Sequence, residues 1–427
     1  MPFKFKRREL KLITICLLNI LLIAWMVRFG DREAKRVFFD FKNYQMKSYW
    51  GGISARNYPW EATDFINTHH LRGNFLNDFN SGAFLIGRCS PHIRVFIDGR
   101  TELHGPRFFK DYVAITDGDK EAFARAVTRY QLTGAFLSTA HNRTFDKLLK
   151  HLRQDKDWVL VYVDHDGVIF LKDVPENRQS IAQLRKDERS ICFEPLDFGR
   201  LGPRGVFPYR EVKRAYNLEA MDLDDLALEQ VREALGISPG AAEPYYIRGL
   251  ILRKRGDHPE AFKNFRIAVM LSPGDQDMRY HLGLSYAALG DHLEAVREYE
   301  KVLESNKERL DVLVSCAESY LARGEYKKTL ETARRIFSLN PKSGKGLIKL
   351  ADNLAGKKRT DEALEVYRLS YKINPRDAHI FYRIGLCFQD LGETKKAREA
   401  FLRGLKIDPS STEIREALSK MNTARKP

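Results

Sequence analysis

Between Phe75 and Gly105 the chain reads FLNDFNSGAFLIGRCSPHIRVFIDGRTELHG, and Asn77, Asp78, Asp98, Arg100 and Glu102 follow or end its two short apolar runs. Amide, carboxylate and guanidinium groups at strand ends are the types that hold a polar ligand or move a proton at the edge of an open α/β sheet. The same types also serve the backbone: Asp98 can cap a turn or pair with Arg100, and Gly99 permits the bend between them. The stretch has no glycine-rich phosphate loop, no serine elbow and no histidine at metal-ligand spacing. These five residues are therefore a candidate ligand crevice with no catalytic residue assigned, and the structural reading of Asp98 is preferred. His69-His70 and Asp164-His165-Asp166 are the other groups of metal-binding type. Neighbouring residues point apart on a strand and about 100° apart on a helix, and the second group falls in a hairpin turn. Both read as surface polar residues, so neither a metal nor a cofactor is expected.

A sheet must position these residues, and the surrounding sequence supplies one. YPWEATDFINTHH reads as a helix beginning after Pro59, NFLNDF as a strand, SGAFLIGRC as a helix or turn, and IRVFIDG as a buried strand. DKEAFARAVTRYQL is a helix with Asp119 near its start, where a carboxylate suits free N–H groups. TGAFLST, NRTFDKLLKHLRQ and DWVLVYVDHDGVIFLKD follow as strand, helix and a hairpin turning at Asp166-Gly167. This order predicts a small α/β domain with a mixed sheet over 58–175. Residues 176–207, charged and then rich in Gly and Pro, read as a linker.

A length of 427 residues allows two or three domains, and a formal charge of +15 favours anionic partners or simply a basic surface. Cys16, Cys89, Cys192, Cys316 and Cys387 are far apart with no C-x-x-C pair, which argues against a zinc site and a disulfide framework. Leu12 to Val27 carries no charge and lies between a basic tail, 1–11, and Arg28. With Lys11 and Arg28 to snorkel and Trp25 for an interface, it predicts a transmembrane signal-anchor over 12–28. A juxtamembrane segment, 29–57, follows, and RFGDREAKR is a poor cleavage site. The Lys and Arg excess before the span predicts a single-pass protein of the inner (plasma) membrane with its body on the exported side. Nucleic acid is not an expected partner in that topology.

The C-terminal half is periodic. Pro239, Pro273, Pro341, Pro375 and Pro409 lie on a 34-residue lattice, with Lys307 in the missing place. Small residues recur at Gly249, Gly283, Ala317, Ala351 and Gly385, and a turn column reads Gly256, Gly290, Gly324, Lys358 and Gly392. A second small column is Ala261, Ala295, Thr329, Ala363 and Ala397, and an aromatic one Phe265, Tyr299, Ala333, Tyr367 and Phe401. This pattern resembles the tetratricopeptide repeat (TPR), a helix–turn–helix unit. Five units are read over 242–411, a degenerate one over 208–241, and a capping helix and tail over 412–427. The resemblance implies a right-handed all-α superhelix, or α-solenoid, whose concave groove takes peptides or protein segments. First-helix places that face such a groove hold Tyr246, Leu250, Arg253 and Lys254, then Tyr280, Leu284, Val314, Glu318, Ile348, Asp352, Tyr382, Leu386 and Gln389. The place of the clamp asparagine holds Leu250, Leu284, Glu318, Asp352 and Leu386, so a carboxylate clamp is not implied.

From Pro59 to Asp173 the chain also resembles the soluble domain of some bacterial polytopic sugar-transferase-like membrane proteins. The matching residues are Pro59, Asn77, Gly82, Phe96, Ile97, Asp98, Gly99, Arg100 and Glu102. The catalytic acid of those proteins lies in a many-helix membrane part with no counterpart here, so catalysis does not carry over. The expectation is a non-enzymatic, membrane-anchored scaffold in cell-envelope or surface-polysaccharide assembly. A sugar-binding or sugar-transferring accessory using the crevice is the alternative. Oligomeric state does not follow from the sequence.

Overall fold

The computed structural model describes residues 39–40, 45–46, 58–100, 104–138, 145–193, 208–339 and 344–423. The chain divides into two compact units, Met1–Ile247 and Arg248–Pro427. The expected tail, span and juxtamembrane segment lie outside the described residues, save for an antiparallel pair of two-residue strands, Phe39–Asp40 and Gln45–Met46. Among the described residues no helix is long and apolar enough to cross a membrane. The expected inner-membrane location is corrected on that finding, and a helical repeat fold implies no location of its own.

The first unit holds a five-stranded sheet. In chain order its elements are α1 (Trp60–Thr68), β1 (Gly73–Asn77), α2 (Gly82–Cys89), β2 (Ile93–Val95), α3 (Pro106–Thr116), α4 (Lys120–Tyr130), β3 (Leu132–Leu137), α5 (Asp146–Gln154), β4 (Trp158–Val163), β5 (Val168–Lys172) and α6 (Arg178–Leu184). The strand order is β2-β1-β3-β5-β4, with β2, β1 and β3 parallel and β5 antiparallel to both β3 and β4. Ile169 and Leu171 of β5 join Val159 and Val161 of β4 in a core with Ala62, Ile66, Leu85 and Ile181. The alternate residues Leu160 and Phe170 are buried too, so both faces are covered. Phe123 of α4 meets Trp158 of β4 at 5.5 Å and His151 of α5 at 5.3 Å between ring centres. Asp119 caps α4, accepting from the N–H groups of Glu121 and Ala122.

Four local expectations are corrected. Only Ile93–Val95 of IRVFIDG is strand: the Phe96 N–H still reaches the Phe75 carbonyl at 2.9 Å, but the Ile97 N–H goes to Asn77 Oδ1 instead of the sheet. Helix α3 had no counterpart in the sequence reading, although Pro106 marks its first turn. The hairpin turns on His165-Asp166, since the Asp164 N–H donates to the Gly167 carbonyl at 3.0 Å, and Gly167 lacks the positive φ of a favoured two-residue turn. The linker does not begin at residue 176: α6 buries Ile181 in the sheet core, and Ile191 is buried beyond it.

Helix pairs follow. The second helices α8 (Asp224–Ile237), α10 (His258–Leu271), α12 (His292–Ser305), α14 (Tyr326–Leu339), α16 (Thr360–Ile373) and α18 (Thr394–Ile407) start 34 residues apart. The first helices are α7 (Tyr209–Ala220), α9 (Ala242–Lys254), α11 (Gln276–Ala288), α13 (Leu310–Ala322), α15 (Gly344–Gly356) and α17 (Ala378–Asp390), and α19 (Thr412–Thr423) closes the array. Asp222, Gly256, Gly290, Gly324, Lys358 and Gly392 all have positive φ, between 59° and 86°. After each, the next N–H reaches the carbonyl five residues back, as Asp257 does to Leu252 and Arg359 to Leu354, both at 2.9 Å. This is the left-handed helix stop that glycine makes without strain. The small column has a steric cause: a Cβ added at Gly283 would lie 2.5 Å from the Tyr299 ring, and one at Gly385 would lie 2.4 Å from Phe401.

Candidate functional site

The sheet turns in opposite directions on either side of β1, so Asn77 and Asp78 sit at the switch point where open sheets bind ligands. Here the chain's own side chains close that place. Asn77 Oδ1 accepts from the N–H groups of Phe96 (2.7 Å) and Ile97 (3.2 Å), and its amide donates to the carbonyls of Ile97 (2.7 Å) and Asp78 (2.8 Å). Asp78 accepts from the Ser81 N–H at 2.9 Å and from the Ser138 N–H at 3.0 Å, tying the end of β1 to α2 and to the end of β3. The Tyr112 hydroxyl accepts from the Phe79 N–H at 3.0 Å, and burial, then the Asp78 charge, pushes its pKa up. Gly82 is required at the start of α2, since a Cβ there would lie 2.1 Å from the Ile97 carbonyl.

Asp98 is buried and faces Arg100. The guanidinium donates to both carboxylate oxygens, and the Arg100 N–H donates to Oδ1 at 2.9 Å. The Arg100 side-chain bond lowers the Asp98 pKa to about 2, the direction opposite to that of a proton carrier at neutral pH. Glu102 lies outside the described residues. Asn77, Asp78 and Asp98 are thus brought together, but as connectors of backbone segments.

A second cluster forms where Glu61 joins the Asp164-His165-Asp166 turn, a group the sequence expects to be surface polar residues. Asp164, His165 and Asp166 are not surface residues: Asp166 is buried and accepts from the Ala62 N–H and the Tyr162 hydroxyl, both at 2.9 Å. Glu61, Asp164 and His165 have ligand atoms within 4.8 Å of one another. Arg210 pairs with Glu61, and Arg214 donates to both oxygens of Asp164, so two guanidinium groups already stand where a cation would be drawn.

Along the array, Tyr246 and Leu250 are buried, each 5% exposed, which corrects their reading as open groove residues. Tyr280, Leu284, Val314, Ile348, Tyr382 and Leu386 are half-buried against the core clusters. Arg253 is half-buried as well, and Lys254 is exposed. Two charged residues of this strip pair with the next first helix: Glu318 with Lys349 at 2.7 Å, and Asp352 with Arg383 at 3.5 Å. Arg309 pairs with Asp277 and Asp311 and lies 5.2 Å over the Tyr280 ring, whose hydroxyl is 3.1 Å from Ser315 Oγ. The sequence signal for the pairs was an acid and a base 31 residues apart, one period less one helical turn, as in Glu318/Lys349, Asp352/Arg383 and, on second helices, Arg334/Glu365.

The tetratricopeptide-repeat family pattern matches residues 248–309 and again 378–411. The chain carries tetratricopeptide repeats. Among similar solved structures, YrrB, described as a TPR protein with an unusual peptide-binding site, is 21% identical and covers 45% of this chain and 99% of its own, with a TM-score of 0.36. The C-terminal part of a TPR repeat-containing protein from Cytophaga hutchinsonii is 19% identical over 52% of this chain and 92% of its own, with a TM-score of 0.42. PilF of Pseudomonas aeruginosa is 16% identical over 49% and 96%, with a TM-score of 0.37. No curated relative matches the chain. Neither TPR match reaches the α/β domain, so its resemblance to sugar-transferase-like proteins is not shown, nor is the envelope or polysaccharide role drawn from it.

Proposed function

We propose that the protein is a non-enzymatic scaffold that holds an apolar or amphipathic protein segment along the first helices of its repeats. The observation that carries this reading is the strip of half-buried Tyr280, Leu284, Val314, Ile348, Tyr382 and Leu386, which falls on two lattice places four residues apart and so on one helix face. The carboxylates of the strip, Glu318 and Asp352, are matched within the array, which favours apolar surface as the main attraction. Each Tyr or Leu covered by a partner contributes about 1–3 kcal/mol.

The test uses the full chain with a photo-crosslinking residue in place of Ile348 on the strip, or of Arg334 on a second helix. Adducts with a partner protein are expected from the first position and not from the second. Tyr280→Ala with Leu284→Ala should remove them while the circular-dichroism helix signal stays unchanged. Adducts confined to the second-helix position, or insensitive to the double substitution, would overturn the reading.

A further inference from the structure

We infer that the α/β domain is the N-terminal cap of the first helix pair: it fills against α7 the place that a preceding repeat fills against later first helices. Repeats bury their apolar faces on their neighbours, so the first one needs a cover of a different kind. At the lattice place of Arg210 later first helices carry Pro244, Met278, Val312, Gly346 and Ile380, and at that of Arg214 an exposed Arg248, then Leu282, Cys316, Leu350 and Ile384, of which Leu282, Cys316 and Leu350 are buried. Only α7 puts two guanidinium groups there, with Asn217 one turn on and buried.

Those groups meet a matching surface. Arg210 pairs with Glu61 in the first turn of α1. Arg214 donates from Nε to Asp164 Oδ1 at 2.6 Å and from Nη2 to Oδ2 at 3.3 Å, and Asn217 donates to the Asp164 carbonyl at 2.6 Å. The guanidinium of Arg214 lies 4.4 Å over the Phe193 ring, and Lys150 of α5 pairs with Asp222 at 2.9 Å. The acceptor is preformed, because Asp166 bolts the same turn to α1 and to Tyr162. The Arg214 side chain is 6% exposed and that of Asp164 18%, so the pair is little screened by salt. Removing one partner of such a pair leaves a buried charge without compensation, which makes the contact selective for its mate. The Glu61/Asp164/His165 cluster is thus a docking hub.

A protease site placed between Gly202 and Gly205 of the full chain tests this. After cleavage the two pieces of the unaltered protein should co-elute in gel filtration, at low salt and at about 0.5 M salt alike, since a shielded pair outlasts screening of surface charge. Arg214→Glu should make the pieces elute apart, and Asp164→Arg combined with Arg214→Asp should restore co-elution. Cleaved unaltered pieces that separate would overturn the cap. So would Arg214→Glu pieces that co-elute as before, or an exchanged pair that fails to rejoin while both pieces keep their helix signal.

Discussion

Asn77 makes four hydrogen bonds to the backbone with every side-chain polar atom it has, and it is fully buried. Asn77→Ala would leave the Ile97 N–H without an acceptor and the Phe96 N–H with the Phe75 carbonyl alone, so a loss of about 1–3 kcal/mol is expected by chemical denaturation. Asp98 works through charge: its lowered pKa, about 2, gives stability that is complete above the unfolded carboxyl value near 3.9 and is lost as pH falls through about 2. Asp98→Asn should therefore lower the melting temperature at pH 7 and leave crosslinking by the array unchanged. Glu211 on α7 has the opposite sign. It is 1% exposed, its Oε1 has no donor, and burial raises its pKa. A raised carboxyl stabilises the fold below the unfolded value near 4.3, and that stability is lost as pH rises through the folded value. Glu211→Gln should thus raise stability by about 1–2 kcal/mol at pH 7.5, and by less at pH 4, in paired thermal melts.

At the scale of the helix pair, the 34-residue columns are steric and conformational demands that recur because the pair recurs. Lys358 occupies the left-handed stop, with φ of 59°, at a place where its counterparts Gly256, Gly290, Gly324 and Gly392 carry no Cβ. Lys358→Gly is expected to stabilise the second unit by about 0.5–1 kcal/mol, the relieved strain exceeding the added freedom of the unfolded chain. Gly283→Ala goes the other way: its Cβ would meet Tyr299 at 2.5 Å, and the Tyr299 ring is fully buried. About 1–3 kcal/mol should be lost, read as a lower denaturation midpoint with helix content retained in buffer. Where the aromatic column lapses at Ala333, the small column at 317 holds Ala, and Leu313, Ile336 and Leu347 pack in the same cluster.

For the whole molecule, the boundary that matters lies elsewhere than composition suggests. The Gly- and Pro-rich stretch before residue 208 looks like a domain border. The α7–α8 pair beyond it nevertheless belongs with the sheet in the first compact unit. A chain begun at Pro208 would carry Arg214 and Asn217 without Asp164, their partner in the intact protein. Hydrogen exchange is expected to lose protection across 209–237 in such a fragment, while protection across 276–423 persists.

The repeat register, the helix stops, the Asp119 cap and the strand–helix order over most of the first domain were legible in the amino-acid sequence. Each rests on a local rule: a small residue where helices cross, a left-handed residue where one ends, a carboxylate where N–H groups are free. The uses of Asn77, Asp78 and Asp164 were not legible. A carboxylate or amide beside a strand has the same chemistry whether it faces a ligand, a backbone N–H or an arginine. The partners of Asp164 at Arg214 and Asn217 come from 50 and 53 residues along the chain, and that of Asp78 at Ser138 from 60. Only the tertiary structure decides which of those groups meet, because no local spacing rule reaches so far.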